Sequence, residues 1–371
     1  MSVGSEKNLL FTLYPALRTT LSYIHLADLP TSIHECKQLR QWDIRLFLKQ
    51  DGLSAPVDEQ GRRLFGGNKV RKLQYLLADA LAQHCSTVVT FGAVGSNHAL
   101  QTAIFAQRMG LKCITMLVPQ PNSPVVRQNL LLQKAFGAQI RYSPDRPLHA
   151  LATAATFLQK KQEDGTFPYF IPVGGSSARG SIGFVQAVLE LQEQIQQGVM
   201  PYPDHLYVTL GSGGTAAGLL VGFKLAGLRT KLHLVLDEPE EVPGTMEQKL
   251  VKLFTETIEL LHSLDPAFPA LAISQDDYGI DNSASGVGYG IATPACEAAM
   301  QLMQEQEGIT LDPTYTGKCF AALCADAQAK RISGTVLFWN TFCGEDMSNF
   351  TSQVDYHTLP KALHVYFEEK N

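Results

Sequence analysis

From about residue 70 onward, the sequence alternates between short β-branched apolar runs and longer segments with helical periodicity. Strands and helices that alternate in this way form parallel sheets, because each helix returns the chain to the same edge of the sheet. The alternation therefore predicts an α/β fold with mainly parallel, twisted sheets flanked by helices. The predicted strands are 86–92, 112–118, 138–143, 204–211, 231–237 and 334–340, and the predicted helices are 70–84, 98–110, 124–137, 181–198 and 215–227.

Glycine ends four of the predicted helices, at Gly110, Gly137, Gly198 and Gly227. Glycine reaches positive φ without a steric penalty, so it commonly ends a helix in the left-handed conformation. We therefore expect positive φ at all four positions. The acidic segment 237–248 belongs to none of the predicted strands or helices. Its charge predicts a solvated surface insertion.

Composition narrows the classes of function. The chain has 371 residues, enough for two domains, and 30 basic against 35 acidic residues give a net charge of −5. It has no long Lys/Arg run, no apolar stretch of the roughly 18 residues that span a membrane, and no secretory leader pattern. We therefore expect a small-molecule substrate, with no nucleic-acid or membrane partner.

The seven cysteines are scattered, and no two of them form a C-x-x-C pair. A disulfide framework or a structural zinc site normally shows regular cysteine spacing. The cysteines therefore predict free thiols, a cytoplasmic location and no metal site.

A glycine-rich segment, 211–215, lies between a predicted strand and a predicted helix. Backbone N–H groups at a helix N-terminus bind phosphate where glycines allow close approach. The same stretch also fits G-x-G-x-x-G/A through Ala216, with Asp237 ending the next strand, so a dinucleotide site is an alternative. A tight turn without a ligand is a third interpretation.

Lys69 follows two glycines and an asparagine at the start of a predicted helix. A lysine becomes a nucleophile toward aldehydes when burial or neighbouring cations lower its pKa, and Arg71 and Lys72 are close in sequence. A solvated basic helix start is the other interpretation.

Polar side chains also follow the first predicted strand, at Ser96, Asn97 and His98. The helix N-terminus there attracts a carboxylate, and the side chains can hydrogen-bond a cofactor or substrate, unless Ser96 or Asn97 only caps the helix. Tyr289 and Tyr315 lie among glycines and turn formers, where a tyrosine acts as a general acid or base if its pKa is perturbed. A packed tyrosine with a hydrated hydroxyl is the other interpretation.

Taken together, six ordered motifs resemble the D-cysteine desulfhydrase and 1-aminocyclopropane-1-carboxylate deaminase family. The motifs are GGNKVRKLQY, GAVGSNHALQTA, PVGGSSARGSIGF, GSGGTAAGLL, GVGYG and LDPTYTGK. That family belongs to the tryptophan-synthase-β-like, fold type II pyridoxal-phosphate enzymes. The similarity runs from about Leu29 to Asn340. It implies a homodimer, and the motif order predicts a larger cofactor-binding domain of 1–69 and 178–371 around a smaller α/β domain of 70–177.

The resemblance also implies roles for single residues. Lys69 binds pyridoxal 5'-phosphate through its amine and removes the substrate α-proton, and Lys72 holds the cofactor phosphate with the glycine-rich segment. Asn97 hydrogen-bonds the ring hydroxyl of the cofactor. The implied catalytic residues are Lys69, Ser96, which faces the substrate carboxylate, Tyr289 and Tyr315. The implied cofactor-binding residues are Lys69, Lys72, Asn97, Gly211, Ser212, Gly213, Gly214, Thr215, Thr316 and Thr341.

Thr316 and Thr341 bear on the substrate, because the cyclopropane deaminases have glutamate and leucine at these two positions. A glutamate keeps the pyridine nitrogen protonated, whereas a threonine leaves a more neutral ring, which suffices for expelling a good leaving group such as thiolate. We therefore predict α,β-elimination of D-cysteine or a similar β-substituted amino acid to pyruvate, ammonia and sulfide. The alternatives are a 1-aminocyclopropane-1-carboxylate deaminase and a nicotinamide-dependent oxidoreductase that uses the GSGGTA loop.

Several positions depart from the family pattern. Gly95 and Leu100 replace a glutamine and an arginine of the usual Q-S-N-H-x-R-Q motif, and Phe342 and Cys343 replace the two glycines of HTGG. Gly95, Leu100 and Phe342 are the support for a third alternative, a catalytically silent cofactor-binding protein. We predict that Cys343 is a packed small hydrophobic residue and not a substrate-side thiol.

Overall fold

Two β-sheets form the centre of the protein. The computed structural model describes residues 8–39 and 42–368, without the side chain of Arg146. The strands are β1 (Ile33–Glu35), β2 (Ile44–Gln50), β3 (Thr87–Ala93), β4 (Lys112–Val118), β5 (Gln139–Tyr142), β6 (Tyr169–Ile171), β7 (His205–Leu210), β8 (Lys231–Leu236), β9 (Tyr278–Asp281) and β10 (Gly334–Asn340).

The larger sheet has the strand order β1-β2-β10-β7-β8-β9, and the smaller sheet has the order β5-β4-β3-β6. All neighbouring strands are parallel except β1 and β2, which are antiparallel. The mainly parallel α/β fold predicted from the alternation is confirmed.

Helices and short 3-10 turns connect the strands. The helices are α1 (Leu9–Leu13), α2 (Leu17–Thr20), α3 (Lys69–Ala82), α4 (Asn97–Arg108), α5 (Pro124–Ala135), α6 (Arg146–Asp164), α7 (Ala178–Gln196), α8 (Gly214–Leu225), α9 (Thr245–Leu264), α10 (Pro294–Glu307), α11 (Thr316–Gln328), α12 (Ser348–Thr351) and α13 (Val365–Glu368). The 3-10 turns are Asp51–Leu53, Val173–Gly175, Tyr356–Thr358 and Lys361–Leu363. In the part of the chain described, none of the helices combines the length and apolar content needed to cross a bilayer.

Helices cover both faces of the larger sheet. Along β10, Leu337 packs into the core formed with α7, α8 and α9, whereas Val336 and Phe338 pack into the core formed with α10 and α11. Successive side chains of a strand point to opposite faces, so both faces of this sheet are buried. This burial explains why the central strands read as continuous apolar runs and not as alternating ones.

The smaller sheet is also covered on both sides. Val88 of β3 packs with α3 and α4, and its neighbour Val89 packs in a cluster that contacts Phe157 of α6. Residues near the end of the described chain, including Leu363, pack with Val126 and Leu130 of α5. This contact brings the last part of the described chain to the smaller sheet. The predicted domain boundaries at 69/70 and 177/178 stay a prediction.

The six predicted strands are all present, each with ends within one residue of the prediction. The predicted helices are present too, and the glycines that follow four of them have φ between +66° and +77°. The prediction missed β1, β2, β6 and β9. Two of these have only three residues, and β1, β2 and β9 lie outside the regular alternation.

The predicted surface segment 237–248 is confirmed for most of its residues, because Glu238, Pro239, Glu241, Val242, Pro243 and Thr245 are exposed. Asp237 is buried at the end of β8, and Thr245 already begins α9. The intervening residues 239–242 line a cavity. Asp237 is the exception in this segment, because its carboxylate lies inside the protein.

Candidate active site

A cavity of about 980 Å³ lies at the carboxyl ends of strands from both sheets. Its wall includes the ends of β3, β7 and β8 and the residues that follow β10. In parallel α/β folds, ligands bind at this edge because loops and helix N-termini converge there. The cavity is large enough for a cofactor together with a small substrate.

Lys69 is the first residue of α3 and reaches this cavity. Its Nζ donates a hydrogen bond of 2.9 Å to Oδ1 of Asn68, and Nδ2 of Asn68 donates one of 3.0 Å to Oγ1 of Thr215. One amide therefore joins Lys69 to the glycine-rich loop, 147 residues away in sequence. Sequence analysis did not single out Asn68, although it lies in the GGNK motif.

The turn before Lys69 requires glycine. A Cβ at Gly66 would lie 2.3 Å from the main-chain oxygen of Gly52, and Gly67 has φ +115°. No other residue fits this close backbone approach, which places the start of α3 beside β2.

The ammonium form of Lys69 is disfavoured in the cavity. Desolvation lowers its pKa to about 8, although the carboxylates of Asp312 and Asp237 act in the opposite direction. Arg71 is not the cause, because its guanidinium pairs with Asp51 and Glu190 at 2.8 and 2.9 Å. The shift raises the fraction of Lys69 that is a neutral, nucleophilic amine at a given pH.

Asp237 is a second titratable group of the cavity. Burial and the neighbouring charge of Glu238 raise its pKa to about 7, against the opposing effect of Lys318 and Lys69. A Cβ at Gly211 would lie 2.8 Å from its Oδ2, so the carboxylate packs directly against the glycine-rich loop.

The glycine-rich loop and Lys72 form an anion cradle. Nζ of Lys72 donates to the carbonyl of Gly174 at 3.0 Å and lies 3.4 Å from Oγ of Ser176, which accepts the N–H of Gly214 at 3.0 Å. A Cβ at Gly214 would lie 2.7 Å from this oxygen and 3.0 Å from Nζ of Lys72. Only glycine leaves this space open, and Gly213, the N-cap residue just before α8, has φ +91°.

Lys72 is buried, and burial followed by the charges of Lys69 and Lys249 holds the pKa of its amine well below the ordinary value. Among the described residues, no carboxylate forms an ion pair with it. A phosphate would supply the missing negative charge next to the N-terminus of α8. Ser176 is a residue that sequence analysis missed, because PVGGSSARGS suggested only a crossing between domains.

Ser96 and Asn97 open α4 at the cavity wall. Oγ of Ser96 caps the helix by accepting the N–H of Ala99 at 3.2 Å, so the capping interpretation is confirmed for this residue. Oδ1 of Asn97 accepts a hydrogen bond of 2.8 Å from Nδ2 of Asn129. The catalytic role of Ser96 and the cofactor contact of Asn97 stay predictions.

Gln120 fills the space beside Gly95. Its Oε1 accepts the N–H of Gly95 at 3.0 Å, and a Cβ at position 95 would lie 2.9 Å from its Nε2 and 2.9 Å from Cγ2 of Val126. The same Nε2 would lie 3.5 Å from a Cβ at Gly290. The side chain of Gln120, which follows β4, therefore occupies the space that a side chain at position 95 would need.

Tyr289 and Tyr315 meet at the cavity. Their hydroxyl groups hydrogen-bond each other, and their ring centroids are 5.8 Å apart in an edge-to-face arrangement. Burial raises the pKa of both, so both hydroxyls stay protonated at neutral pH and act as hydrogen-bond donors or acids. Nζ of Lys69 lies 6.0 Å from the ring centre of Tyr315. The catalytic roles of the two tyrosines stay predictions.

Lys318 holds the loop that carries Tyr289. Its buried Nζ donates to the carbonyls of Asp237 at 2.6 Å, Ser285 at 2.7 Å and Gly288 at 3.0 Å. This lysine lies in the LDPTYTGK motif, for which no role of the lysine was predicted. The lysine could not be assigned from sequence, because all three acceptors are main-chain atoms.

The two threonines occupy different positions. Thr341 lines the cavity, whereas Oγ1 of Thr316 donates to Oδ1 of Asp312 at 2.6 Å, and Asp312 lines the cavity in front of it. The cofactor contacts of both threonines stay predictions. Phe342 also lines the cavity, and Cys343 is packed in the core at 2% exposure, which confirms the prediction for its side chain.

This arrangement has a counterpart among known proteins: residues 24–341 match the family model of pyridoxal-phosphate dependent enzymes. The chain belongs to this family. Its cofactor is therefore pyridoxal phosphate, as predicted, and the reactive amine, the anion cradle and the cavity volume fit that group. The nicotinamide alternative is set aside, because the family uses a different cofactor and Asp237 is buried against the loop.

Relatives of this pyridoxal-phosphate enzyme include named enzymes. It is 36% identical over 294 residues to a D-cysteine desulfhydrase of Serratia proteamaculans, covering 74% of this chain and 82% of the relative. It is 32% identical over 339 residues to a D-cysteine desulfhydrase of Salmonella paratyphi A, covering 87% and 94%.

Solved structures share the fold of this enzyme. A crystal structure described as an ACC deaminase homologue has a TM-score of 0.76 and 28% identity, covering 95% of this chain and 98% of its own. The processed form of threonine deaminase isoform 2 from Solanum lycopersicum has a TM-score of 0.58 and 16% identity, covering 94% and 88%. The predicted fold type II architecture is confirmed.

Proposed function

We propose that this enzyme is a lyase that converts D-cysteine, or a similar β-substituted amino acid, to pyruvate, ammonia and sulfide. The main observation in favour is the Asn68 amide, which joins the reactive amine of Lys69 to the anion cradle through hydrogen bonds of 2.9 and 3.0 Å. The D-cysteine desulfhydrases at 36% and 32% identity support the choice of substrate.

We assign the cofactor contacts to residues around this amide. Lys69 holds the cofactor covalently through its amine. Lys72 and the backbone N–H groups of 212–215 hold the phosphate, since the buried ammonium and the start of α8 converge there. Asn97 and Thr341, both at the cavity wall, contact the ring. Thr316 acts on the ring through Asp312, which accepts its hydroxyl hydrogen bond.

The chemistry divides between cofactor and protein. Bound pyridoxal phosphate supplies an electron sink for the charge left at the substrate α-carbon. Lys69 takes the α-proton, and its lowered pKa leaves the amine neutral often enough to do so. The protonated pair of Tyr289 and Tyr315 donates to the departing thiolate as the C–S bond breaks. One water then hydrolyses the released enamine to pyruvate and ammonia.

The substrate carboxylate binds at the start of α4. The partial positive charge of a helix N-terminus stabilises an anion there, and Ser96 keeps the first turn ordered by capping Ala99. Phe342 lines the cavity next to Thr341, and we expect this residue to favour a short side chain with a soft leaving group.

Deamination of 1-aminocyclopropane-1-carboxylate is the second candidate, supported by the ACC deaminase homologue at 28% identity. A product assay of the purified holoenzyme with D-cysteine, L-cysteine, β-chloro-D-alanine and the cyclopropane amino acid distinguishes the two activities. Equal amounts of pyruvate and sulfide from D-cysteine support the proposal, and 2-oxobutyrate from the cyclopropane substrate supports the second candidate. No product from a fully loaded enzyme identifies a catalytically silent protein. Lys69→Ala is the control, with loss of the visible band of the bound cofactor.

We also propose that the enzyme works as a homodimer in the cytoplasm. The dimer follows from the family resemblance, and the reducing compartment is supported by the structure, in which all seven cysteines are free thiols. Light scattering of the purified holoenzyme tests the first part. Fractionation of cells that express the tagged chain tests the second.

A further inference from the structure

A group of potential metal ligands lies outside the cavity. It consists of His34 on β1, Cys36 just after this strand and Glu307 at the end of α10. One ligand atom from each side chain lies within 4.8 Å of the other two. Imidazole nitrogen, thiolate and carboxylate are the ligand types found together in zinc sites.

The backbone explains why the first two side chains meet. His34 pairs with Leu48 in the antiparallel ladder, and the N–H of Cys36 continues the pairing by donating to the carbonyl of Leu46 at 2.8 Å. Residues two apart in an extended chain point to the same side of the sheet. His34 and Cys36 therefore present both side chains on one side of the sheet edge.

Glu307 reaches the pair from a different element. The main-chain N–H of Gln38 donates to its Oε1 at 3.0 Å, which holds the carboxylate over the loop after Cys36 and leaves Oε2 for another partner. Such outer contacts orient the ligands in metal sites. Glu307 is also the last residue of α10, and the last turn of this helix has no basic residue.

The local charge favours a cation. The C-terminus of a helix carries a partial negative charge, which disfavours a carboxylate there unless a positive group is near. The thiol of Cys36 is buried beside this carboxylate, with the two ligand atoms within 4.8 Å of each other. A bound cation would supply the positive group.

We propose that His34, Cys36 and Glu307 bind a divalent transition-metal ion of the zinc type, with water as the fourth ligand. Metal–ligand bonds of about 2.0–2.3 Å in a tetrahedron separate the ligand atoms by about 3.6 Å. Small rotations of the half-buried His34 and Glu307 side chains bring the three atoms from within 4.8 Å to this spacing. The thiol releases its proton to solvent as the metal–sulfur bond forms. The ion ties the edge strand β1 to α10.

Cobalt(II) added to metal-free holoenzyme tests the site, because a thiolate ligand gives cobalt a charge-transfer band. We expect one cobalt per chain, a band that Cys36→Ser abolishes, and displacement by zinc. Glu307→Gln keeps an acceptor for Gln38 but removes the charge, and His34→Gln removes the imidazole. We expect each to weaken binding at least tenfold, while Cys85→Ser, a half-buried thiol elsewhere, changes nothing.

The proposal would be overturned if the cobalt-loaded wild type showed no charge-transfer band. So would affinity that is unchanged in both Glu307→Gln and His34→Gln, and these two variants decide the matter if Cys36→Ser fails to fold. Zinc should also raise the melting temperature of the wild type and of Cys85→Ser, but not of Glu307→Gln. None of these measurements depends on the substrate, so they are independent of the proposed function.

Discussion

The ammonium group of Lys318 donates a hydrogen bond of 2.6 Å to the main-chain carbonyl of Asp237, the residue that follows β8 at the cavity. The same ammonium holds the carbonyls of Ser285 and Gly288, on the segment that leads to Tyr289. Lys318 therefore positions Asp237 and the segment that leads to Tyr289 together, through main-chain atoms and not through their side chains.

Lys318→Met should lower the free energy of unfolding by about 3 kcal/mol, because three buried carbonyls lose their donor. We also expect kcat to fall, since the loop of Tyr289 loses its anchor. Urea unfolding and steady-state kinetics measure the two effects. Lys252→Met, at a side chain that is 74% exposed, is the control and should stay within about 0.5 kcal/mol of the wild type. Equal stability of both variants would contradict the assignment.

Lys72→Met should weaken cofactor binding by the apoenzyme roughly 10- to 100-fold, the usual effect of losing a hydrogen bond to a charged group. The reason is the position of its Nζ, 3.0 Å from a Cβ placed at Gly214. Fluorescence titration of the apoenzyme with pyridoxal phosphate measures the affinity. Lys134→Met, exposed on α5, is the matched control. An affinity unchanged in Lys72→Met would place the phosphate elsewhere.

Uptake of pyridoxal phosphate by the apoenzyme should accelerate as the pH rises through about 8, because only the neutral amine of Lys69 attacks the aldehyde. Asp237→Asn should move this midpoint to lower pH, since the carboxylate it removes raises the pKa of Lys69. Stopped-flow absorbance over a pH series measures the rates, with Asp43→Asn at an exposed site as control. A midpoint near the ordinary lysine value of 10.5 would show that Lys69 is not desolvated.

Gly95→Ala should lower kcat/KM, because the added methyl group would lie 2.9 Å from Nε2 of Gln120 and displace its amide. Gln120→Ala removes that obstacle, so we expect the double variant to lose less activity than the sum of the two single losses. A double-mutant cycle on kcat/KM gives the coupling. Additive effects would mean that Val126, which is equally close, alone limits position 95.

The periodicity of the sequence predicted the strands and helices from residue 70 onward, because burial on both faces leaves a strong local signal. It missed β1 and β6, since three-residue strands are defined by their neighbours more than by their own residues. It also placed Asp237 in a solvated segment, whereas this residue is buried. Charged residues predict solvent on average, and their burial depends on partners far away in the chain.

The motifs and their family resemblance predicted Lys69, Lys72, the glycine-rich loop and the two tyrosines, and most of these line one cavity. Several other residues of the site could not be found this way. Asn68 acts through Thr215, 147 residues away, and Lys318 acts through carbonyl groups that any residue carries. Such roles depend on distances between atoms, which leave no pattern in the sequence.

By itself, the sequence determined the parallel α/β architecture, the glycine turns and the cofactor class. Local periodicity, backbone freedom and ordered motifs depend on residues that are neighbours in the sequence. Only the tertiary structure decided which form of each ionisable group the cavity holds. Burial lowers the pKa of Lys69 to about 8 and raises that of Asp237 to about 7, and both shifts arise from groups that folding brings together. Burial of a charge depends on the atoms that surround it in the folded protein. The cavity that holds these groups forms only where the carboxyl ends of the two sheets meet.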